Sequence, residues 1–123
     1  MGQRARAANG QFISTGNAVG GTLHRPSLRA STKRAIQDQA RANGQVFPAN
    51  FHYGHIRGFE NRRILAAANK LGLNQKQLNN YVNARPQHFQ IEDAAHNLSH
   101  RGEKPGIGGI NHIVRDMNDY FGF

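Results

Sequence analysis

Phe51-His52-Tyr53-Gly54-His55-Ile56-Arg57-Gly58-Phe59-Glu60-Asn61-Arg62-Arg63 is the stretch on which the reading of this chain turns. Aromatic and β-favouring residues run up to a Gly-His pair, and a second glycine leads into a glutamate and two arginines. Local propensity makes Phe51 to Ile56 a short strand and Gly58 the turn that opens a helix. That layout holds the His55 imidazole at a strand end, with the Glu60 carboxylate and the Arg62 and Arg63 guanidiniums on the first turns of the helix. A base that takes a proton near neutral pH, beside charge that holds an anion, suits attack on a phosphate. An edge strand and a helix start with ordinary surface charges would use the same residue types, so the stretch needs support from elsewhere.

The bounds of the chain supply some of it. At 123 residues it is one domain with a small core. Sixteen Lys and Arg against seven Asp and Glu give a net charge of +9, and the sequence pI is near 11.1. Such an excess is the electrostatic mark of a phosphate-rich partner, or less often of an anionic membrane. No apolar run approaches membrane-spanning length, which predicts a chain without a membrane partner. Its start has no charged-then-apolar signal pattern. With no cysteine there is neither a disulfide nor a thiolate metal site. Seven histidines are therefore the titratable groups of interest.

Residues 1–25 are rich in Gly, Ala, Ser, Asn and Arg and read as a flexible basic lead-in, with the domain proper at 26–123. Ser31 or Thr32 is placed to cap a basic helix that runs to about Ala42 and stops at Asn43-Gly44. Beyond the central stretch, Phe59 to Leu71 has helical periodicity with Ile64, Leu65, Ala68 and Leu71 on one face and Gly72 as its stop. Asn74 with Gln77 has the spacing of a capping box for a second helix carrying Leu78, Tyr81 and Val82, which Arg85-Pro86 ends. Phe89-Gln90-Ile91 reads as a second short strand. Ile110, Ile113, Val114, Met117, Tyr120 and Phe121 then recur at helical spacing, giving a C-terminal amphipathic helix whose apolar face belongs to the core.

A second polar cluster lies between that strand and that helix. In Glu92-Asp93-Ala94-Ala95-His96-Asn97-Leu98-Ser99-His100-Arg101-Gly102-Glu103 the acidic pair is placed to cap a short helix that Gly102 stops. Asn97 and His100, three apart, fall on one helix face. An amide oxygen and an imidazole converging there suit a divalent cation, and equally a helix-end hydrogen-bonded pair. His96 and His100 have the spacing of a zinc metalloprotease motif, but that motif needs a glutamate where this chain has Asn97. A strand bearing His55, a strand at Phe89 to Ile91 and a helix bearing Asn97 and His100 add up to a β-β-α unit with a helical hairpin between its strands. That geometry suits one-metal hydrolysis of a phosphodiester, the strand histidine deprotonating water.

Gly54-His55-Ile56-Arg57-Gly58-Phe59-Glu60, Phe89-Gln90-Ile91-Glu92-Asp93 and Asn97-Leu98-Ser99-His100-Arg101-Gly102-Glu103 together resemble the GH-E family of bacterial polymorphic toxin domains, within the HNH/endonuclease VII nuclease superfamily. Pro26-Ser27-Leu28-Arg29 and Thr32-Lys33-Arg34-Ala35-Ile36 resemble the segment preceding the family signature, so the resemblance covers roughly residues 25–105. It implies a mostly helical α+β fold, a small β-β-α metal-type nuclease core with an inserted helical hairpin and a C-terminal helix. It also implies His55 as general base, Glu60 as the acidic signature residue, and Asn97 and His100 as ligands of one divalent ion (Mg²⁺, Mn²⁺, Ni²⁺ or Zn²⁺). Arg57, Arg62, Arg63 and Arg101 flank this site as phosphate contacts, and Glu92, Asp93 and Glu103 match further acidic positions.

Two departures stand out. Many superfamily members carry an Asp ligand before the strand histidine, where this chain has Gly54, and a proline is expected after Glu92-Asp93, where it has Ala94. The resemblance further implies a monomeric effector domain, secreted by one bacterium to act in the cytoplasm of another and blocked by a cognate immunity protein. Its substrate is nucleic acid, DNA ahead of RNA. Charge alone equally supports a non-catalytic basic module that binds nucleic acid, and the same architecture serves an RNase toxin.

Overall fold

The computed structural model describes residues 22–94, 106 and 108–123. Among them the chain forms helix α1 (Ala30–Ala42), strand β1 (Phe51–His55), helices α2 (Asn61–Leu71) and α3 (Gln75–Asn83), a single 3-10 turn (Pro86–His88), strand β2 (Phe89–Asp93) and helix α4 (Asn111–Phe121). This is a small α+β arrangement in which α2 and α3 form the hairpin between the two strands. No helix among the described residues is long and apolar enough to cross a membrane.

Local chemistry accounts for most boundaries. Gly72 ends α2 at φ +69°, a left-handed conformation that costs a side-chain-bearing residue energy. Asn74 and Gln77 form the reciprocal capping box, the Asn74 side chain accepting from Gln77 N–H while the Gln77 side chain accepts from Asn74 N–H, each at 2.8 Å. The start of α1 differs from the sequence expectation. Its cap is Arg29, without a side-chain cap bond, and Thr32 lies inside the helix, its hydroxyl 2.8 Å from Asn83 Oδ1. Contacts from α3 hold that first turn, so local capping was not needed. Packing also reaches back past residue 26: Leu23 is buried in the core, and His24 exchanges two hydrogen bonds with Gln75.

The core is one cluster drawn from the four helices and β2: Ile36 and Ala40 of α1, Ile64, Ala67 and Ala68 of α2, Leu78, Tyr81 and Val82 of α3, Phe89 and Ile91 of β2, Ile113 and Met117 of α4, with Phe51 and Tyr53 of β1 packed against it. β1 and β2 pair antiparallel, from Phe51 opposite Asp93 to His55 opposite Phe89. Pleating then places Phe51, Tyr53 and His55 on the face of Ile91 and Phe89, and His52 and Gly54 on the opposite face with Glu92 and Gln90. Glu92 and Asp93 continue the strand to its end, held by the ladder to His52 and Phe51, and Ala94 directly after them is helical.

Asp116 of α4 pins the hairpin's exit. Its Oδ2 accepts from Tyr81 Oη at 2.6 Å and from Arg85 Nε at 2.8 Å, and His88 Nε2 lies 3.7 Å away. The Arg85 guanidinium also covers the rings of Tyr81 and Tyr120. Burial pulls the Asp116 carboxyl upward, but the hydrogen bonds from Arg85 and Tyr81 outweigh it and hold the group below its ordinary range. Burial raises the Tyr81 phenol and, against the pull of Asp116, lowers His88 to about 4. His88 Nδ1 is buried with no hydrogen-bond partner among the described residues, so a neutral ring is what this site accommodates. From the ordinary histidine value of roughly 6.5 down to about 4, the unfolded chain takes up a proton here that the folded chain refuses. The contribution is complete above that window and is lost as pH falls through it. Melting temperatures followed by circular dichroism should drop across this window, and His88→Phe, which keeps a ring against Phe59, should make the drop shallower. An equal drop in both proteins would remove His88 from the account.

Candidate active site

β1 carries the Gly-His pair to the edge of the two-stranded sheet. His55 is half-buried, its ring 4.5 Å from that of Phe89, its partner across the ladder. Ile56 N–H then donates to the His88 carbonyl at 2.9 Å, extending the pairing by one bond. Gly54 is buried in mid-strand. A Cβ at this position would fall 2.5 and 2.6 Å from the Glu92 oxygens, with Cδ closer still, distances that real Cβ atoms do not adopt. The Glu92 carboxylate therefore lies on the bare Cα of Gly54. Gln90 Nε2 holds it by donating to Oε2 at 2.6 Å.

Directly after His55 the chain reverses. Phe59 N–H donates to the Ile56 carbonyl at 3.0 Å with Gly58 at φ +92°, as in a type II turn. Three side chains tie this turn down. Glu60 sends its carboxylate back, and both oxygens accept from Gly58 N–H at 3.1 Å. Arg63 Nε donates to Glu60 Oε1 at 2.8 Å, and its Nη1 donates to the Gly108 carbonyl. His112, at the start of α4, donates from Nε2 to the Gly58 carbonyl at 2.8 Å. Phe59 is sandwiched, stacked on His88 and meeting His112 edge-on. Because Glu60 bends back to Gly58, α2 begins at Asn61, two residues later than periodicity places it.

Glu60 and Arg63 are 2 % and 0 % exposed. This corrects the sequence reading of Arg63 as a phosphate contact: its guanidinium is spent inside the protein on Glu60 and Gly108. Arg57 is exposed on the turn, with no partner among the described residues. Arg62 is half-buried and donates from Nε to the Gly106 carbonyl at 2.7 Å. Asp93 is exposed at the end of β2. Asn97, His100, Arg101 and Glu103 lie outside the described residues, and with them the expected convergence of His55 with Asn97 and His100.

Among the described residues no three His, Asp or Glu side chains gather as a metal site. The donor type present does fit a hard divalent cation, since the cradle that a Cβ would fill at Gly54 is filled by a carboxylate. Sequence reasoning missed His112, Asp116 and the cradle. A glycine inside a strand pattern was the available signal for the cradle, because it marks a close approach. His112 and Asp116 act across long separations and leave no local mark.

The described residues thus bring together a strand ending in Gly-His, a carboxylate on the glycine and an exposed arginine on the turn behind it. Residues 31–103, more than half of the chain, match the family described as GH-E, HNH/ENDO VII superfamily nucleases with conserved GHE residues. The chain belongs to that nuclease family. No curated protein and no solved structure gives a significant match.

The buried pair yields a stability test. Glu60→Gln leaves the Arg63 charge without its counterion, which costs about 3–5 kcal/mol in such settings. Urea denaturation should show a loss of that order, and the double variant Glu60→Gln with Arg63→Met should lose less than the single one. A single variant as stable as the parent protein would show that the pair carries no such role.

Proposed function

We propose that this chain is a metal-dependent endonuclease that hydrolyses nucleic acid, DNA ahead of RNA, and is the effector domain of a bacterial competition toxin held in check by a cognate immunity protein. The observation that carries the reading is the family match, which spans Gly54-His55 together with Asn97 and His100. The net charge of +9 supports a polyanionic substrate and an acidic inhibitor. In the producing cell the immunity protein covers the basic face, and the domain acts after delivery into the cytoplasm of a competitor.

His55 is the general base. Its neutral imidazole takes a proton from water as the water oxygen forms its bond to phosphorus and the bond to the leaving oxygen breaks. Arg57, Arg62 and Arg101 would hold flanking phosphates, and Asn97 and His100 would hold the ion. When bound, a divalent cation supplies positive charge to the scissile phosphate and the leaving oxygen. Glu60 acts from a distance: its bonds to Gly58 and Arg63 fix the turn that follows His55.

Incubation of plasmid DNA and total RNA with the protein, with Mg²⁺, Mn²⁺, Ni²⁺, Zn²⁺ or EDTA, tests this reading. Cleavage that EDTA abolishes is the expected result, and binding without cleavage under every condition would leave a non-catalytic basic module. His55→Ala should slow cleavage by roughly 10²- to 10⁴-fold while melting temperature and binding stay near those of the parent protein. Binding affinity should fall steeply with salt, and replacing exposed Arg57 with Gln should flatten that slope by about one.

A further inference from the structure

A glycine in the interior of a strand weakens it, because it costs more conformational entropy on folding and packs no side chain. Gly54 is such a residue, and its backbone does not require glycine, since it is absent from the positive-φ positions. What glycine preserves there is the place of a neighbouring side-chain end. The Glu92 carboxylate reaches across from β2 and occupies the space of a side chain at 54.

The partners of Glu92 set it apart from three of the other acidic groups. In this strongly basic chain Asp38, Glu60 and Asp116 are each bonded to an arginine. Among the described residues Glu92 is held by the neutral amide of Gln90, and its Oε1 accepts no hydrogen bond there. A guanidinium would neutralise the carboxylate and compete for its lone pairs; an amide orients it and leaves its charge available. The family is marked by a conserved glycine, histidine and glutamate, and the two strand-side candidates for the glutamate differ in what they can do. Glu60 is buried, with both oxygens committed to Gly58 N–H and one also to Arg63, so drawing it to a ligand would break a buried ion pair. Glu92 is half-buried and lies against the residue that precedes His55.

We propose that Glu92 is an anionic oxygen ligand for the divalent cation of this site, and that position 54 is glycine to make room for it. The assignment rests on the metal-dependent nuclease reading and names the glutamate that works in it.

The test reads metal binding directly on the full chain, without nucleic acid. Mn²⁺ is titrated into the protein and followed by calorimetry and by the electron paramagnetic resonance of free Mn²⁺. Glu92→Gln keeps the size and the Gln90 contact and removes the charge. It should weaken Mn²⁺ binding by roughly tenfold or more, the least that losing even an outer partner of a ligand costs, with an unchanged melting temperature in EDTA. Gly54→Ala should weaken Mn²⁺ as well, because its methyl group displaces the carboxylate. Gly54→Asp combined with Glu92→Ala brings a carboxylate into the same space from β1, its carboxyl carbon about 1.5 Å beyond the Cβ, and should recover part of the affinity.

Parent-like Mn²⁺ affinity in Glu92→Gln overturns the proposal, and if the parent protein cleaves nucleic acid with Mn²⁺ the nuclease reading survives that failure. Undiminished affinity in Gly54→Ala overturns the role given to the glycine. A parent protein that neither binds Mn²⁺ nor cleaves would overturn the proposal and the nuclease reading together.

Discussion

The ion pair between Glu60 and Arg63 is the constraint on which the rest of the site depends. Two opposite charges three residues apart are withdrawn from water almost completely, and that is tolerable only where their remaining bonds are supplied. The backbone supplies them. Gly58 N–H satisfies the carboxylate, and the Gly108 carbonyl receives the guanidinium. The pair is therefore a joint between the reversal after β1 and the stretch that leads into α4, and His112 closes the same joint from the other side. The end of β1, where His55 sits, has little freedom to shift unless these bonds break.

A second polar joint, around Asp116, performs the corresponding task at the far end of the hairpin. Between them the two joints fasten α4 to both exits of the α2–α3 unit, one through Gly58 and one through Arg85. A two-stranded sheet has little independent stability, so β1 and β2 rely on what is fastened around them. Apolar burial draws the elements together, and the charged joints fix where the strand ends come to rest.

Much of this was legible in the sequence wherever the signal was local. The strand at Phe51, the turn at Gly58, the Gly72 stop, the Asn74–Gln77 box and the C-terminal amphipathic helix each announce themselves within a few residues. The features that escaped are settled across distance. Arg63 reads as surface charge until Glu60, three residues before it, turns inward with it. Thr32 reads as a cap until Asn83 takes its hydroxyl. Glu92 reads as part of a helix start, yet the ladder to His52 makes it a strand residue whose side chain faces Gly54. The glycine of Gly-His was visible as a missing ligand in the sequence. What filled its place depended on a residue thirty-eight positions along the chain.

The insertion of the hairpin between the strands has a kinetic side. Residues 56–88 separate the two strands, so pairing His55 with Phe89 closes a long loop before any ladder bond rewards it. Helices α2 and α3, joined by a short turn and a capping box, are the local contacts that shorten this search. Assembly should run from hairpin to sheet, bringing Gly54 and Glu92 together only once the strands have met. A nascent or partly unfolded chain has all the residues of the site and none of its geometry. The arrangement of Gly54, His55 and Glu92 at the strand ends thus exists only after folding is nearly complete.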